Sequence, residues 1–178
     1  MRPPAGDAFR AGALNVVLAR IPAVFLAAFL AGVLGLGLAT GPAEAAVPAH
    51  LVAGFPRGTV VLETAGPRCL LLEVYFAATA EQRAQGLMFV EGMPEFEGMY
   101  FGYNTPAEII MWMKNTVLPL DMLFIRSDGT IGHIARDAKP YSTERIDSGG
   151  PVVGVLEVNA GFARRWGVDT GTRLLLLQ

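Results

Sequence analysis

Eight short runs of strand-forming residues divide the chain at Thr59–Thr64, Cys69–Phe76, Gly98–Phe101, Ile109–Met113, Asp121–Arg126, Ile131–Arg136, Val152–Val158 and Thr172–Leu177. Turn residues separate them, and Ser127-Asp128-Gly129-Thr130 joins two of them as a hairpin in which glycine can take a positive φ. Room remains for two short helices. Thr79-Ala80-Glu81-Gln82 has the spacing of a capping box, with Gly86 as the stop. Asn159 offers a cap for the second, in which Phe162 and Trp166 lie one turn apart until Gly167 ends it. Many strands with so little helix predict a mainly β chain, a single compact barrel or jelly-roll-like sandwich with two short helices, and exclude alternating β/α units. There is no internal repeat.

The N-terminus has a different character. Arg2, Arg10 and Arg20 precede the apolar run 23–39, and Ala43-Glu44-Ala45 supplies the small-x-small pattern that signal peptidase reads. Residues 1–45 are therefore expected to be a signal peptide, with cleavage before Ala46 and a periplasmic or extracellular product. The alternative is a membrane anchor, because the apolar run approaches the roughly 20 residues that span a bilayer. No cysteine follows the run to carry a lipid. Residues 46–57, rich in Pro, Ala and Gly without periodicity, read as a linker or loose arm, and 58–178 as the folded domain.

Composition narrows the class of partner. Of 178 residues 52% are hydrophobic and 17% charged, a balance that excludes a disordered chain. Loss of residues 1–45 removes three arginines and two acids, which takes the net charge from −2 to about −3. Nothing there attracts a polyanion, so no nucleic-acid partner is expected, and membrane contact is expected only through the N-terminal segment before cleavage. Cys69 is the single cysteine, which excludes an internal disulfide and a thiolate zinc site. Its place at the head of an apolar run reads as a buried, inert thiol.

The residues that could carry chemistry interrupt the apolar stretch Ile109–Ile125: Lys114, Asn115 and Asp121, beside Trp112. Buried polar groups cost free energy unless they are hydrogen-bonded, so these residues either tie a turn together or face a binding site. In the first case Asn115 and Asp121 bond backbone groups of the connection; in the second Trp112 is the apolar floor of a pocket with Lys114, Asn115 and Asp121 as its polar groups. Glu81 and Arg83, two apart on a helix, point in different directions. Arg83 can reach a carboxylate elsewhere, with Asp121 or Glu157 as the candidates. Glu157 shares a face with Val155 inside Val155-Leu156-Glu157-Val158, so it needs a partner such as Arg83 or Lys114. Met111 and Met113, on one strand face with His133 two strands later, form a soft donor set that could select Cu(I). Met is also a common core filler, His133 reads as a solvent-facing strand residue, and no metal site is favoured over these plainer roles.

Several blocks fit one pattern: Thr79-x-Glu81-x-Arg83-x-x-Gly86-Leu87-Met88, Gly98-Met99-x-Phe101, Trp112-Met113-Lys114-Asn115-Thr116, Pro119-Leu120-Asp121, Phe124-Ile125, Gly129-x-Ile131 and Val155-Leu156-Glu157-Val158-x-Ala160-Gly161. In order and spacing they closely resemble the domain of unknown function 192 family over roughly residues 60–178. The resemblance implies a compact, mainly β fold, often exported, and no reaction. Tyr100 and Gly102-Tyr103 depart from the plainer apolar and Phe-Pro pattern usual there.

The expectation is an exported β domain that binds a small molecule or a partner, with Trp112, Lys114, Asn115, Asp121, Glu81 and Arg83 as candidate ligand-binding residues and the cofactor unknown. A second expectation, from another class, is a cell-envelope enzyme with Asp121 or Glu81 as acid/base and Lys114 or Arg83 as electrostatic stabiliser. A third is Cu(I) binding through Met111, Met113 and His133. The first two differ in an observable way: an enzyme site calls for a strongly perturbed carboxylate beside a cationic group.

Overall fold

A computed structural model describes residues 53–177. The expected signal peptide, its cleavage position and most of the expected linker lie outside these residues. Seven strands run through the described part: β1 (Arg57–Glu63), β2 (Cys69–Ala77), β3 (Glu97–Met111), β4 (Leu120–Ile125), β5 (Ile131–Ala138), β6 (Ile146–Asn159) and β7 (Arg173–Leu177). Two short helices accompany them, α1 (Ala80–Gln85) and α2 (Phe162–Trp166).

The strands form one sheet in the order β5-β4-β6-β3-β2-β1-β7, antiparallel except for the β2–β3 pair. It curls into a half-barrel. At one end the edges meet: Thr130 bridges Arg173, the Ile131 amide donates to the Thr172 carbonyl at 2.8 Å and the Leu174 amide to the Gly129 carbonyl at 2.8 Å.

Period-two alternation gives the sheet two apolar faces. On β6 the side chains of Val155 and Glu157 lie on the face of Met99, Phe101, Met122 and Phe124, whereas Leu156 and Val158 lie on the face of Tyr100, Leu123 and Ile125. Each face carries its own cluster. The first is covered by the segment after α1 through Leu87, Val90 and Met93, the second by α2 through Phe162 and Ala163.

The structure departs from the sequence expectations at identifiable places. Gly98–Phe101 and Ile109–Met113 are not separate strands but the two ends of β3, carried past Thr105-Pro106 by register shifts against β6 between Gly102 and Ala107 and between Glu108 and Ile110. A bulge lets a strand absorb a proline without ending its ladder. The strand stops at Met111, so alternation does not extend to Met113 and Lys114.

The C-terminal part of the expected loose arm is docked. Phe55 is buried in the first cluster, the Pro56 carbonyl accepts the Phe76 amide at 2.8 Å, and Gln82 Nε2 donates to the Gly54 carbonyl at 2.9 Å. Cys69 is exposed, not buried: it heads β2 opposite Glu63, where the strand enters from a surface turn.

The first helix follows its capping box. Thr79 Oγ1 accepts the Gln82 amide at 3.2 Å, Gln82 Oε1 accepts the Thr79 amide at 3.0 Å, and the Gly86 amide closes the end on the Gln82 carbonyl. Asn159 does not cap the second. It ends β6 with its amide committed to the Met93 and Pro94 carbonyls, and Gly161 stands at the cap position with no side chain to offer.

Candidate functional site

The segment that crosses the first face leaves a cavity of about 120 Å³ between α1 and the far end of β3. Phe101 and Tyr103, two apart on β3, and Met111 beyond its register shifts line one side, Gly86-Leu87-Met88 forms the opposite wall, and Trp112, Lys114 and Thr116 follow from the turn after the strand. Arg83 reaches in from α1 and Glu157 from β6. The walls thus mix apolar side chains with polar ones, Arg83, Lys114 and Glu157 among them, around one space.

Arg83 is held by the backbone. Its Nη1 donates to the Ala78 carbonyl at 2.5 Å and the Gly102 carbonyl at 3.1 Å, and its guanidinium lies over the Tyr103 ring at 5.2 Å from the centroid. Two carbonyls fix the plane of the group, so what remains of its donor fork has a set direction. The carboxylate pairing expected for Arg83 does not form. Among the described residues no salt bridge within 4.0 Å joins Arg83 or Lys114 to Glu157 or Asp121.

Glu157 is the unusual member. It is only 4% exposed and is flanked across the sheet by Met99 on β3 and Met122 on β4, both fully buried. Neither neighbour can hydrogen-bond a carboxylate well. Burial pushes its carboxyl up to about 8, so the acid is largely neutral at pH 7. Its charge, when present, acts on Tyr103, whose phenol is raised first by burial, is lowered by Arg83 and is raised again by Glu157. Sequence patterning identified Glu157 only as a residue in need of a partner. The alternation Val155-Leu156-Glu157-Val158 was the signal that it faces inward, but nothing local showed that a cavity stands in front of it.

The other candidates divide clearly. Trp112, 54% exposed, and Lys114 join Arg83 in the lining. Asp121 does not. It pairs in register with Val158 while Met122 pairs with Glu157, so its side chain leaves the sheet on the opposite face. There its Oδ1 accepts the Asp137 amide at 2.9 Å and its Oδ2 the Ala163 amide at 3.0 Å. Asp121 therefore caps α2 from a neighbouring strand, in the role the sequence suggested for Asn159.

Glu81 is exposed on the first turn of α1 and lies outside the lining, its carboxyl lowered by hydrogen bonds to its own backbone amide and the Thr79 hydroxyl. Asn115 supports the turn: its carbonyl accepts the Phe89 amide at 2.9 Å and its Nδ2 approaches Met88 Sδ at 3.8 Å. Met111 lines the cavity, whereas Met113 is fully buried in the core and His133 lies exposed on β5, stacked on Phe124 at 5.5 Å. Among the described residues no group of three or more His, Cys, Asp and Glu could hold a metal ion.

Backbone strain gathers beside the cavity. Phe89 (φ 63°), Asn115 (φ 57°) and Tyr141 (φ 59°) are non-glycine residues in the left-handed region, and all three meet at the turn Met113–Thr116 through the Phe89 amide to Asn115 carbonyl and Tyr141 amide to Thr116 carbonyl bonds. For a bulky aromatic such a φ is an outlier, and residues of this kind cluster at ligand clamps and switch regions. Phe89 and Tyr141 are also exposed. A second cavity, about 230 Å³, is lined by Arg126, Gly132 and Ser148–Val152. It is larger but chemically occupied with itself: Ser148 Oγ accepts the Ile109 amide and donates to the Gly150 carbonyl.

Comparison with known proteins agrees with the fold. The family model DUF192, described as "Uncharacterized ACR", matches residues 60–176. A protein from Sinorhizobium meliloti 1021, provisionally named a transcription regulator, is 48% identical, with a TM-score of 0.67 over 68% of this chain and 95% of its own. A protein of unknown function from Novosphingobium aromaticivorans DSM 12444 is 34% identical, with a TM-score of 0.68 over 76% of this chain and 98% of its own. No curated protein matches.

Proposed function

The chain belongs to the DUF192 family, and we propose that it is a small-molecule-binding β domain whose site is the cavity between α1 and β3, exported on the pattern of its N-terminal sequence. One observation carries this reading. A buried acid and two cationic side chains line the same cavity without pairing with one another. Structural ion networks neutralise themselves, and a set left open in this way is suited to a ligand. Strained backbone at Phe89, Asn115 and Tyr141 meets at the Met113–Thr116 turn, which supplies Lys114 and Thr116 to the cavity.

Adding benzyl alcohol, glucose, phenylacetamide and acetate separately to the uniformly ¹⁵N-labelled protein tests the site. Any binder is expected to move the amide signals of Gly86, Met111 and Lys114. Shifts confined to the region of Arg126 and Ser148 would dismiss the cavity as the site.

Export rests on the basic-apolar-small pattern of residues 1–45. Protein recovered from the cell envelope is expected to begin at or near Ala46. An intact Met1 in the membrane fraction would favour an anchor.

A second reading, a cell-envelope enzyme, takes support from the neutral Glu157, since a general acid must hold its proton at working pH, but among the described residues no salt bridge within 4.0 Å sets a cationic group beside it, and binding is therefore the first reading. Asp121 and Glu81 stand outside the cavity, so Glu157 with Arg83 or Lys114 would carry that chemistry. The Cu(I) reading finds only Met111 at the cavity. A role on DNA, as the provisional name of the Sinorhizobium protein suggests for that protein, runs against the net charge of −2.

A further inference from the structure

The nature of the ligand follows from the polar groups that face it. Arg83 and Lys114 carry donors and no acceptor. Arg83 has two carbonyls on Nη1, and its remaining N–H groups have no protein acceptor among the described residues; Lys114 likewise makes no side-chain hydrogen bond or salt bridge there. Glu157, neutral in its apolar setting, adds an O–H. Three donor-bearing side chains thus line one space, in which a ligand must supply acceptors.

Size sets the second limit. A volume of about 120 Å³ is that of a few water molecules at roughly 30 Å³ each, well under the roughly 300 Å³ at which drug-sized ligands begin. Only the head of a molecule enters. Its body must lie outside, where Trp112 and Ile110 are exposed at the mouth.

Resting on the reading of this cavity as the ligand site, we propose that it takes a compact oxyanion, a carboxylate or phosphate head carried on an apolar body that lies along Trp112, and that Glu157 admits the head only in its neutral form. A neutral Glu157 donates to the oxyanion a charge-assisted hydrogen bond, which is short and strong. An ionised Glu157 places a second negative charge in the same low-dielectric space and repels it.

The groups facing Glu157 leave the titration in its hands. Arg83 comes from α1, Tyr103 from β3 and Lys114 from the turn after β3, while Met99 and Met122 on the flanking strands carry no charge. The Tyr103 phenol is held above its ordinary value and stays neutral across the window in which Glu157 ionises. Affinity for the anion is therefore level below about pH 8 and falls about tenfold for each pH unit above it.

Calorimetric titration of the full chain with phenylacetate, its neutral isostere phenylacetamide and inorganic phosphate, at about pH 6.5 and about pH 9.5, tests this. Phenylacetate is expected to bind at least about tenfold more tightly than phenylacetamide at the lower pH and to lose roughly thirtyfold at the higher. Glu157→Gln, which keeps an N–H donor and cannot ionise, is expected to bind phenylacetate at both pH values with nearly equal affinity. Lys114→Gln, at an exposed turn position, is expected to weaken phenylacetate and leave phenylacetamide unchanged.

Phosphate binding at about pH 6.5 would support the oxyanion and identify phosphate as its source, and because phosphate itself loses a proton between the two pH values the part given to Glu157 is read from phenylacetate; binding of phenylacetate alone would identify a carboxylate on an apolar body. Equal binding of phenylacetamide and phenylacetate would overturn the inference while leaving the cavity as the ligand site. A wild-type affinity independent of pH would overturn the part given to Glu157. Failure of phenylacetate and phosphate to bind at all would overturn the inference whole, and the shifts caused by neutral fragments would then decide separately whether the cavity is a site.

Discussion

At the scale of single residues, two buried acids one strand apart take opposite roles because the sheet has two faces. Asp121 and Glu157 occupy neighbouring strands, yet the register Asp121–Val158 and Met122–Glu157 sends them to opposite sides. Asp121 finds two backbone amides, Asp137 on one oxygen and Ala163 on the other. Glu157 finds methionines. The difference makes a direct prediction for Asp121→Asn. The amide keeps one acceptor oxygen but turns an NH₂ donor toward the second backbone N–H, so the variant loses one hydrogen bond and leaves a buried donor unmet. The expected cost is about 1–3 kcal/mol, read as a lower urea midpoint at unchanged slope. A midpoint equal to or above wild type would place Asp121 among the strained residues of a functional site and not in the scaffold.

At the scale of elements, the short pieces hold their shape by borrowing. The second helix has glycine at its cap position and no side chain of its own to meet its first amides, so Asp121 supplies that bond from β4. Its far end is tied by Trp166, whose indole N–H donates to Glu95 at 2.8 Å while Arg165 grips the same carboxylate. The first helix carries its own cap, and this explains why it was legible in the sequence whereas the second was placed correctly but capped wrongly. The long β3 shows the same dependence. It continues through Pro106 because β6 follows it with matching register shifts, and a proline read alone indicates an interruption. Close approach matters in one further place: a Cβ on Gly98 would stand 2.6 Å from the Glu157 carbonyl, so glycine there lets β3 and β6 meet behind the acid that faces the cavity.

At the scale of the whole molecule, Glu157 should be visible in the dependence of stability on pH. Its folded value, about 8, lies above its ordinary 4.5, so the native state binds the extra proton. The sign follows from linkage: stability is complete below about pH 4.5 and declines as pH rises toward about 8, at up to about 1.4 kcal/mol per pH unit. Glu81 and Asp128, whose values are lowered, act in the opposite direction and only as pH falls through the acid range below 4.5, so they leave that window clear. Melting temperatures between pH 5 and 8 are expected to fall for wild type and to stay level for Glu157→Gln; parallel curves would mean that Glu157 is not the group responsible. The same residue marks the boundary between what was legible and what was not. The succession of short strand-like runs, the hairpin at Ser127–Thr130 and the capping box at Thr79 determined a mainly β chain with two short helices, because turn chemistry and alternation act over a few residues. The polar interruption of the apolar stretch placed Trp112 and Lys114 among the candidates, and an unpartnered cation on a short helix added Arg83. That these three meet Glu157 across a cavity, while Asp121 turns away and Glu81 stays outside, was decided only by the sheet order β4-β6-β3 and its register. A shift of one residue in that pairing would exchange the faces of every side chain on the strand, and no local preference in the sequence encodes which neighbour a strand will find.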